Sequence, residues 1–442
     1  MFAVTGERPV AAPSALNLAL TRVVVCLLVL CSSELWDAAS WARAGRDLRA
    51  PALGLGWALP LLDASARWVP AAQLLCAAGC VLGLLGWRCR WTLGIGTASA
   101  LLLFALPQFT GGPRHSMHLV WFLALLALGP CDLRLRLRWW NAPSDDQDAA
   151  LRGRFSLHAL WVLLAAVYFF PGFWKLRESG MDWIYSDNLQ NQMFWKWYQF
   201  GSVPGWRPDA HPQLMAFAAL SVQTFELFFP LLLLRHRLLA AGLGIAFHWA
   251  AAKFLFLPYQ ALLGCYVALV DWEWLWAWLH DQERPQQRFG MPWRELRAVP
   301  RALAAVALVL VSGAVVAGAS GEMRAYPFAC YPTFQWLAPP DMPDLWIAVV
   351  HDGKERWLPD SPAHGGTRPQ ARWGMAWRAS GVYGDGVQLD RLIGYYRALP
   401  AELRAGVAAG DTLRFYAARV LVLPEDWREP PLRQTLIGEW TP

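Results

Sequence analysis

The sequence predicts an all-α polytopic bundle of about nine membrane helices, followed by a small C-terminal α+β domain outside the membrane. Hydrophobic residues make up 56% of the 442 residues and charged residues only 16%, whereas about 25% of the residues in soluble domains are charged. Crossing a bilayer requires about 20 predominantly apolar residues. Segments of this kind lie at about 15–35, 69–87, 91–107, 115–131, 155–174, 213–234, 238–257, 260–279 and 301–319. A wholly soluble protein is therefore excluded.

The loops between these segments alternate in charge, and this alternation predicts the orientation. If the N-terminus is cytoplasmic, every second loop is rich in arginine, whereas the loops between are acidic, mixed or nearly uncharged. Lysine and arginine concentrate in the cytoplasmic loops of membrane proteins. The first apolar segment lacks a convincing cleavage pattern and is interpreted as a retained span. We therefore predict a multi-pass inner (plasma) membrane protein whose C-terminal domain is extracytoplasmic.

The chain divides into three predicted regions. They are a transmembrane domain at 1–280, a cytoplasmic loop with the ninth span at 281–320, and an extracytoplasmic α+β domain at 321–442. In the last region, apolar residues at 346–350 and 356–358 flank the dipeptide Asp352-Gly353, which is typical of a hairpin turn. Residues 389–399 have helical spacing, and 413–423 are typical of a strand. The apolar segment 51–62 is too short to cross and is predicted to be interfacial or re-entrant.

Charge and cysteine content argue against two other classes of function. The net charge is +6, but no basic run interleaved with aromatic residues indicates a nucleic-acid interface. Most of the eight cysteines fall within or at the ends of apolar segments, without a Cys-x-x-Cys pair or a Cys/His metal spacing. We therefore expect no nucleic-acid partner and no metal cofactor.

Aromatic side chains crowd the loop after the fifth apolar segment. Such a stretch is typical of an interfacial helix on the outer face of a membrane protein. A second interpretation is a lid over a lipid-soluble ligand. The aromatic residues are Trp183, Tyr185, Phe194, Trp195, Trp197, Tyr198 and Phe200.

Two ionisable residues are predicted to lie at one depth on the inner side. Ionisable groups within spans are costly and usually face a partner or a cavity. Arg22 lies about seven residues into the first span, and Glu226 about eight residues from the inner end of the sixth, which corresponds to roughly 10–12 Å of depth for each. We predict a structural ion pair between them.

A second set of ionisable residues converges on the outer side. A histidine there can be an ordinary hydrogen-bonded interfacial residue, and a lysine at the end of a span can extend to the headgroups. Alternatively, a lysine desolvated among other cationic groups loses its proton more easily and becomes a usable general base. The set comprises His115, His118, Lys175, His248 and Lys253.

The segment 167–176 carries a recognisable pattern. Its residues Tyr168-Phe169-Phe170-Pro171-Gly172-Phe173-Trp174-Lys175-Leu176 match Tyr-Phe-x-x-Gly-x-x-Lys-Leu. This signature resembles that of the vitamin K-dependent gamma-carboxylase family, whose membrane part is the horizontally transferred transmembrane (HTTM) domain. The resemblance covers roughly residues 15–280. Further blocks that agree in order and spacing are 18–30 with Thr21-Arg22, 82–102 around Arg88, His115-Ser116, 226–234 and Phe247-His248.

The resemblance implies a cofactor and a set of site residues. Lys175 would be the base that deprotonates a reduced quinone of the vitamin K type, and oxygen addition would then drive carboxylation of a glutamyl side chain. His115 would be the active-site histidine, with His118 as an alternative, and His248 would match the histidine of the Phe-His block. The residues expected to bind quinone or substrate are Arg114, His118, Tyr168, Trp183 and Lys253.

Two functions of different classes remain open. The first is a quinol-dependent oxygenase or carboxylase, a lyase that acts on an exported peptide or small molecule. The second is a non-catalytic quinone-binding or assembly subunit of a membrane complex. Membrane lipids and a quinone are expected partners in both cases.

Overall fold

The computed structural model describes residues 14–42, 54–63, 65–109, 116–137, 147–281, 293–323, 325–330, 333–364, 376, 388–399 and 401–442. In these ranges the protein is mostly helical, with one antiparallel sheet near the C-terminus. The helices are α1 (Ala15–Leu30), α2 (Ser33–Trp36), α3 (Ala38–Ala42), α4 (Leu59–Asp63), α5 (Ser65–Leu84), α6 (Cys89–Gln108), α7 (His118–Leu128), α8 (Gln147–Ser179), α9 (Asp182–Tyr185), α10 (Asn188–Phe200), α11 (Pro212–Arg235), α12 (Arg237–Phe254), α13 (Gln260–Cys265), α14 (Trp272–Leu279), α15 (Trp293–Leu296), α16 (Arg301–Ser320), α17 (Leu389–Ala398) and α18 (Ala401–Arg404). The strands are β1 (Asp341–His351), β2 (Lys354–Trp357), β3 (Thr412–Leu421) and β4 (Arg433–Trp440).

Five of the described helices are long and apolar enough to cross a membrane. They contain the segments Arg67–Leu84, Cys89–Gln108, Asp148–Ser179, Pro212–Arg235 and Arg301–Ser320. The helices α1 and α7 are apolar but shorter, as is the segment Gln260–Leu269. By length and composition the chain is therefore a multi-pass membrane protein, and the predicted helical bundle with a small sheet is confirmed. The count of nine spans stays a prediction.

The predicted eighth span is not one continuous helix. It consists of α13, a 3₁₀ helix at Tyr266–Leu269, and α14. Asp271 lies at the interruption, where its carboxylate accepts a hydrogen bond from the backbone N–H of Trp274 at 3.0 Å and caps α14. A capping carboxylate marks the start of a new helix. Hydropathy averaged over the whole segment does not detect such a start. Glu273 in turn accepts a hydrogen bond from the backbone N–H of Leu16 at 2.7 Å, at the start of α1.

The longest described helix, α8, lies at the centre of the bundle. It packs against α7, α11 and α16, and its apolar residues belong to the main hydrophobic core. The helix continues to Ser179, beyond the predicted end of the fifth span at residue 174. Lys175 is therefore one turn inside the helix, and its side chain lies among neighbouring helices.

The C-terminal sheet has the strand order β2-β1-β3-β4, and all its neighbouring strands are antiparallel. The predicted hairpin, helix and strand are confirmed as β1–β2, α17 and β3. Asp352 and Gly353 both have positive φ, 46° and 77°, as the tight hairpin turn between β1 and β2 requires. The sequence analysis missed β4, whose side chains are mostly exposed and so lack a clear apolar alternation.

The aromatic stretch at 183–200 forms α9 and α10, which lie between the helical bundle and the sheet. Trp197 and Tyr198 are fully buried. Tyr198 donates a hydrogen bond to the carboxylate of Asp344 in β1 at 2.7 Å, and Met193 and Phe194 pack in the same cluster as Met342 and Trp346. These four side chains therefore contact protein, whereas Tyr185 and Phe200 of the same stretch are exposed, and the belt interpretation stays a prediction.

Candidate functional site

A cavity of about 100 Å³ lies within the helical bundle, between α8, α11 and α12. Helices α7, α9 and α10 contribute further walls, as do the chain between α12 and α13, Leu262 within α13, and the chain after α16. Most of the lining is aromatic or aliphatic. Polar or ionisable side chains reach the cavity from His118, Tyr168, Lys175, Gln192, Glu226, His248, Tyr259, Cys330 and Thr333.

A buried ion pair lies in the wall of the cavity. The Nζ of Lys175 donates to both carboxylate oxygens of Glu226, at 2.6 and 2.5 Å. Lys175 is 2% exposed and Glu226 is 5% exposed. The ammonium also lies 5.1 Å from the centre of the Trp183 ring, a distance at which a cation is attracted to an aromatic face. The lysine is thus held by a carboxylate and an aromatic ring, whereas the sequence analysis expected cationic neighbours.

The close approach of α8 and α11 positions this pair, and it depends on Gly172. A Cβ atom at this position would lie 2.8 Å from the Cβ of Glu226 and 2.9 Å from the backbone nitrogen of Leu227. Gln223, one turn before Glu226 on α11, donates a hydrogen bond to the carbonyl of Gly172 at 2.7 Å. Because Lys175 follows Gly172 by three residues, both face α11.

A hydrogen-bonded chain of aromatic side chains begins in the wall, where Tyr168 and His248 line the cavity. The hydroxyl of Tyr168 on α8 is bonded to Nε2 of His248 on α12 at 2.5 Å. The same hydroxyl is bonded to that of Tyr266. The other ring nitrogen of His248, Nδ1, is buried and has no hydrogen-bond partner among the described residues. His248 lines the cavity and is only 3% exposed, so its imidazole is a buried polar group in the wall.

The chain that follows α16 borders the cavity, where Cys330 and Phe334 form part of the lining. Its backbone is fixed by side chains of the bundle. Trp121 donates to the carbonyl of Pro327 at 2.8 Å, and Trp183 donates to the carbonyl of Phe334 at 2.7 Å. Trp183 therefore lines the cavity and is bonded to the chain that borders it, and the lid interpretation stays a prediction.

The structure brings five of the predicted site residues to this cavity. They are His118, Tyr168, Lys175, Trp183 and His248. Lys253 does not line the cavity and is exposed near the end of α12. Arg114 and His115 lie outside the described residues. The roles proposed for these residues stay predictions.

The predicted ion pair between Arg22 and Glu226 is wrong. Arg22 is fully buried, and its guanidinium donates to the carbonyl of Cys131 and, at 2.5 Å, to that of Leu135, in the chain after α7. Glu226 is instead neutralised by Lys175. The prediction failed because depth was counted along each segment separately, while the pairing depends on how the helices are offset and which side chains face each other.

The residues that the sequence analysis did not assign to this site include Glu226, which lines the cavity, and Tyr266, which is bonded to the lining residue Tyr168. Glu226 was assigned to a structural pair, although an ionisable residue within a span is itself a candidate for function. Tyr266 was not identified, since a tyrosine in an apolar segment carries no pattern that distinguishes it from packing residues. Its contact with Tyr168 arises only from the packing of the 3₁₀ helix against α8.

None of the protein-family models, curated proteins or solved structures compared with this chain matches it. The resemblance carried by the segment 167–176 therefore stays a prediction, and the function is argued from the site itself.

Proposed function

We propose that the protein binds a reduced quinone in the cavity and uses Lys175 to remove a proton from a quinol hydroxyl. The observation that carries this proposal is a buried lysine–carboxylate pair in the wall of a largely aromatic cavity. A quinol has a flat apolar ring, which suits aromatic walls, and acidic hydroxyls, which require a polar partner. Binding sites of this composition are typical of small-molecule ligands.

The pair supplies a chemical role for each partner. When the shared proton lies on Glu226, the amine of Lys175 accepts the hydroxyl proton of the quinol and becomes an ammonium. The ammonium is then stabilised by the quinolate and by the aromatic face of Trp183. In line with the family resemblance, the quinolate would react with oxygen, and the resulting alkoxide would deprotonate a glutamyl side chain that captures carbon dioxide. The chain would then be a quinol-dependent oxygenase or carboxylase acting on an exported peptide or small molecule.

A non-catalytic role as a quinone-binding or assembly subunit is the second candidate. It is favoured by the fact that both carboxylate oxygens of Glu226 are already bonded to Lys175. A buried pair with good geometry is stable in itself and often serves packing. In this case the cavity would hold a quinone without proton transfer.

We also propose nine crossings, made by the five long helices together with α1, α7, α12 and the interrupted segment at 260–279. A broken helix is tolerated at membrane depth where protein surrounds it. This arrangement puts the C-terminal sheet outside the cytoplasm. A reporter that is active only in the cytoplasm, fused after Pro442, is expected to be inactive. Activity of this reporter would mean that the number of crossings is even.

Replacing Lys175 by arginine tests the base directly. Arginine keeps the positive charge and can pair with Glu226, but a guanidinium does not deprotonate in proteins. Lys175→Arg is therefore expected to leave a folded protein whose quinol oxidation falls by about 10²–10⁴-fold, the usual contribution of a general base. The measurement is oxygen uptake by the purified protein supplied with a reduced naphthoquinol, corrected for oxidation without protein.

Lys253→Arg is the matched control, because this lysine is exposed and does not line the cavity. Its oxygen uptake is expected to equal that of the wild type. Unchanged uptake in Lys175→Arg would contradict the base assignment. A wild type that binds the quinone without taking up oxygen would favour the non-catalytic function.

A further inference from the structure

The chain at 336–339 lies along α10 and is bonded there to two amide side chains of the helix. The backbone N–H of Ala338 donates to Oδ1 of Asn188 at 2.7 Å. Gln192, one turn further along α10, donates through Nε2 to the carbonyl of Trp336 at 3.3 Å and to Oδ1 of Asn188 at 3.4 Å. Gln192 also lines the cavity and is 5% exposed. Its amide group therefore has one side bonded to the protein and lies in the cavity wall.

These bonds fix which way the Gln192 amide points. Oδ1 of Asn188 accepts the backbone N–H of Ala338, so it is an oxygen, and the carbonyl of Trp336 is an acceptor as well. Two acceptors must face Nε2 of Gln192, because turning the amide over would place Oε1 against both of them. No described residue donates to Oε1, and this atom keeps accessible surface. Since Gln192 lines the cavity, Oε1 is an acceptor that a bound molecule can reach.

A fixed acceptor distinguishes the two redox states of a quinone. A quinol has two hydroxyl groups that can donate, whereas an oxidised quinone has two carbonyl groups that only accept. A quinol hydroxyl can donate to Oε1, but a quinone carbonyl at the same place would leave two oxygens facing each other without a hydrogen. The hydroxyl of Thr333, which also lines the cavity, does not distinguish the two states, because a hydroxyl can donate or accept.

We propose that Gln192 makes the cavity select the quinol over the oxidised quinone. This inference rests on the proposed function and specifies the redox state of its ligand and the residue that recognises it. One hydroxyl of the quinol donates to Oε1 of Gln192, and the other loses its proton to Lys175. The oxidised product has no hydrogen to donate and leaves Oε1 unpaired, a state that costs free energy in a buried site. The product is therefore released more readily than the substrate.

Gln192→Met tests this selection. Methionine fills a similar volume, but its thioether is only a weak acceptor. The probes are menadiol and its oxidised form menadione, and binding is measured by equilibrium dialysis of the purified full-length protein in detergent under nitrogen. We expect the wild type to bind menadiol at least about tenfold more tightly than menadione, and the variant to lose about tenfold in menadiol affinity while its menadione affinity stays within about twofold.

Gln190→Met is the matched control. Gln190 belongs to the same helix, is half-buried and does not line the cavity. The same substitution at this position should leave the affinities for menadiol and menadione unchanged.

The outcomes distinguish this inference from the proposed function. Equal weakening of both ligands in Gln192→Met would indicate a purely structural glutamine and overturn the inference, as would unchanged affinities in this variant. A wild type that binds both redox forms equally would overturn it even if the variant does not fold, while the role of Lys175 in oxygen uptake would stand. If the wild type binds neither form, the proposed function fails, and the inference fails with it.

Discussion

Gly172→Ala is expected to destabilise the protein and to separate Lys175 from Glu226. The added methyl would lie 2.8 Å from the Cβ of Glu226 and 2.9 Å from the backbone nitrogen of Leu227. Neither atom belongs to a flexible side-chain end, so α8 and α11 must move apart. Overpacking of this kind costs about 1–3 kcal/mol. The measurement is the free energy of unfolding in mixed detergent micelles, together with quinol oxidation by the folded fraction.

Gly242→Ala in α12 is the matched control. Apart from the adjoining backbone of α12, no atom of the described residues lies within 4 Å of a Cβ at that position. The substitution should therefore retain stability or increase it by up to about 1 kcal/mol through the higher helix propensity of alanine. If Gly242→Ala lowered the free energy of unfolding as much as Gly172→Ala, the bundle would be sensitive to any added methyl group. This result would contradict the role of Gly172 in the helix contact.

The second large effect on stability is expected from the buried ion pair of Lys175 and Glu226. Glu226→Leu leaves the ammonium of Lys175 buried without its carboxylate, and Lys175→Met leaves the carboxylate of Glu226 without its ammonium. Each single change is expected to destabilise by about 3–5 kcal/mol, because an uncompensated charge remains in a buried site. The double variant Lys175→Met with Glu226→Leu should recover most of this loss, since it removes both charges and keeps the volume apolar.

The surface pair of Arg154 and Glu295 serves as the control for these measurements. Its side chains are 34% and 36% exposed, and Glu295→Gln should cost at most about 1 kcal/mol. Additive losses in the Lys175 and Glu226 variants would mean that the two residues are not coupled. Recovery of stability without recovery of quinol oxidation in the double variant would indicate that the pair serves function at some cost in stability.

The membrane character and the local structure of the C-terminal domain could be predicted from the sequence. Most apolar segments of the required length form helices, because a helix satisfies its own backbone hydrogen bonds, although the segment 260–279 is interrupted. The turn at Asp352-Gly353 depends on the conformations of two adjacent residues, which makes it a local property. The clustering of Lys175, His118 and His248 was also predicted, because helix ends on one side of a membrane share a depth.

Which ionisable side chains pair with each other within the bundle was decided by the tertiary structure alone. Arg22 and Lys175 are both cations within the bundle, and nothing local to either segment specifies which of them pairs with Glu226. That choice follows from Gly172, which lets α8 and α11 approach, and from the carbonyls after α7 that bind Arg22. The contact of Tyr266 with Tyr168 has the same origin, since it joins residues 98 positions apart in the chain. The sequence by itself determined which side chains are present in the bundle and at about what depth, and the relative rotation and offset of the packed helices determined which of them meet.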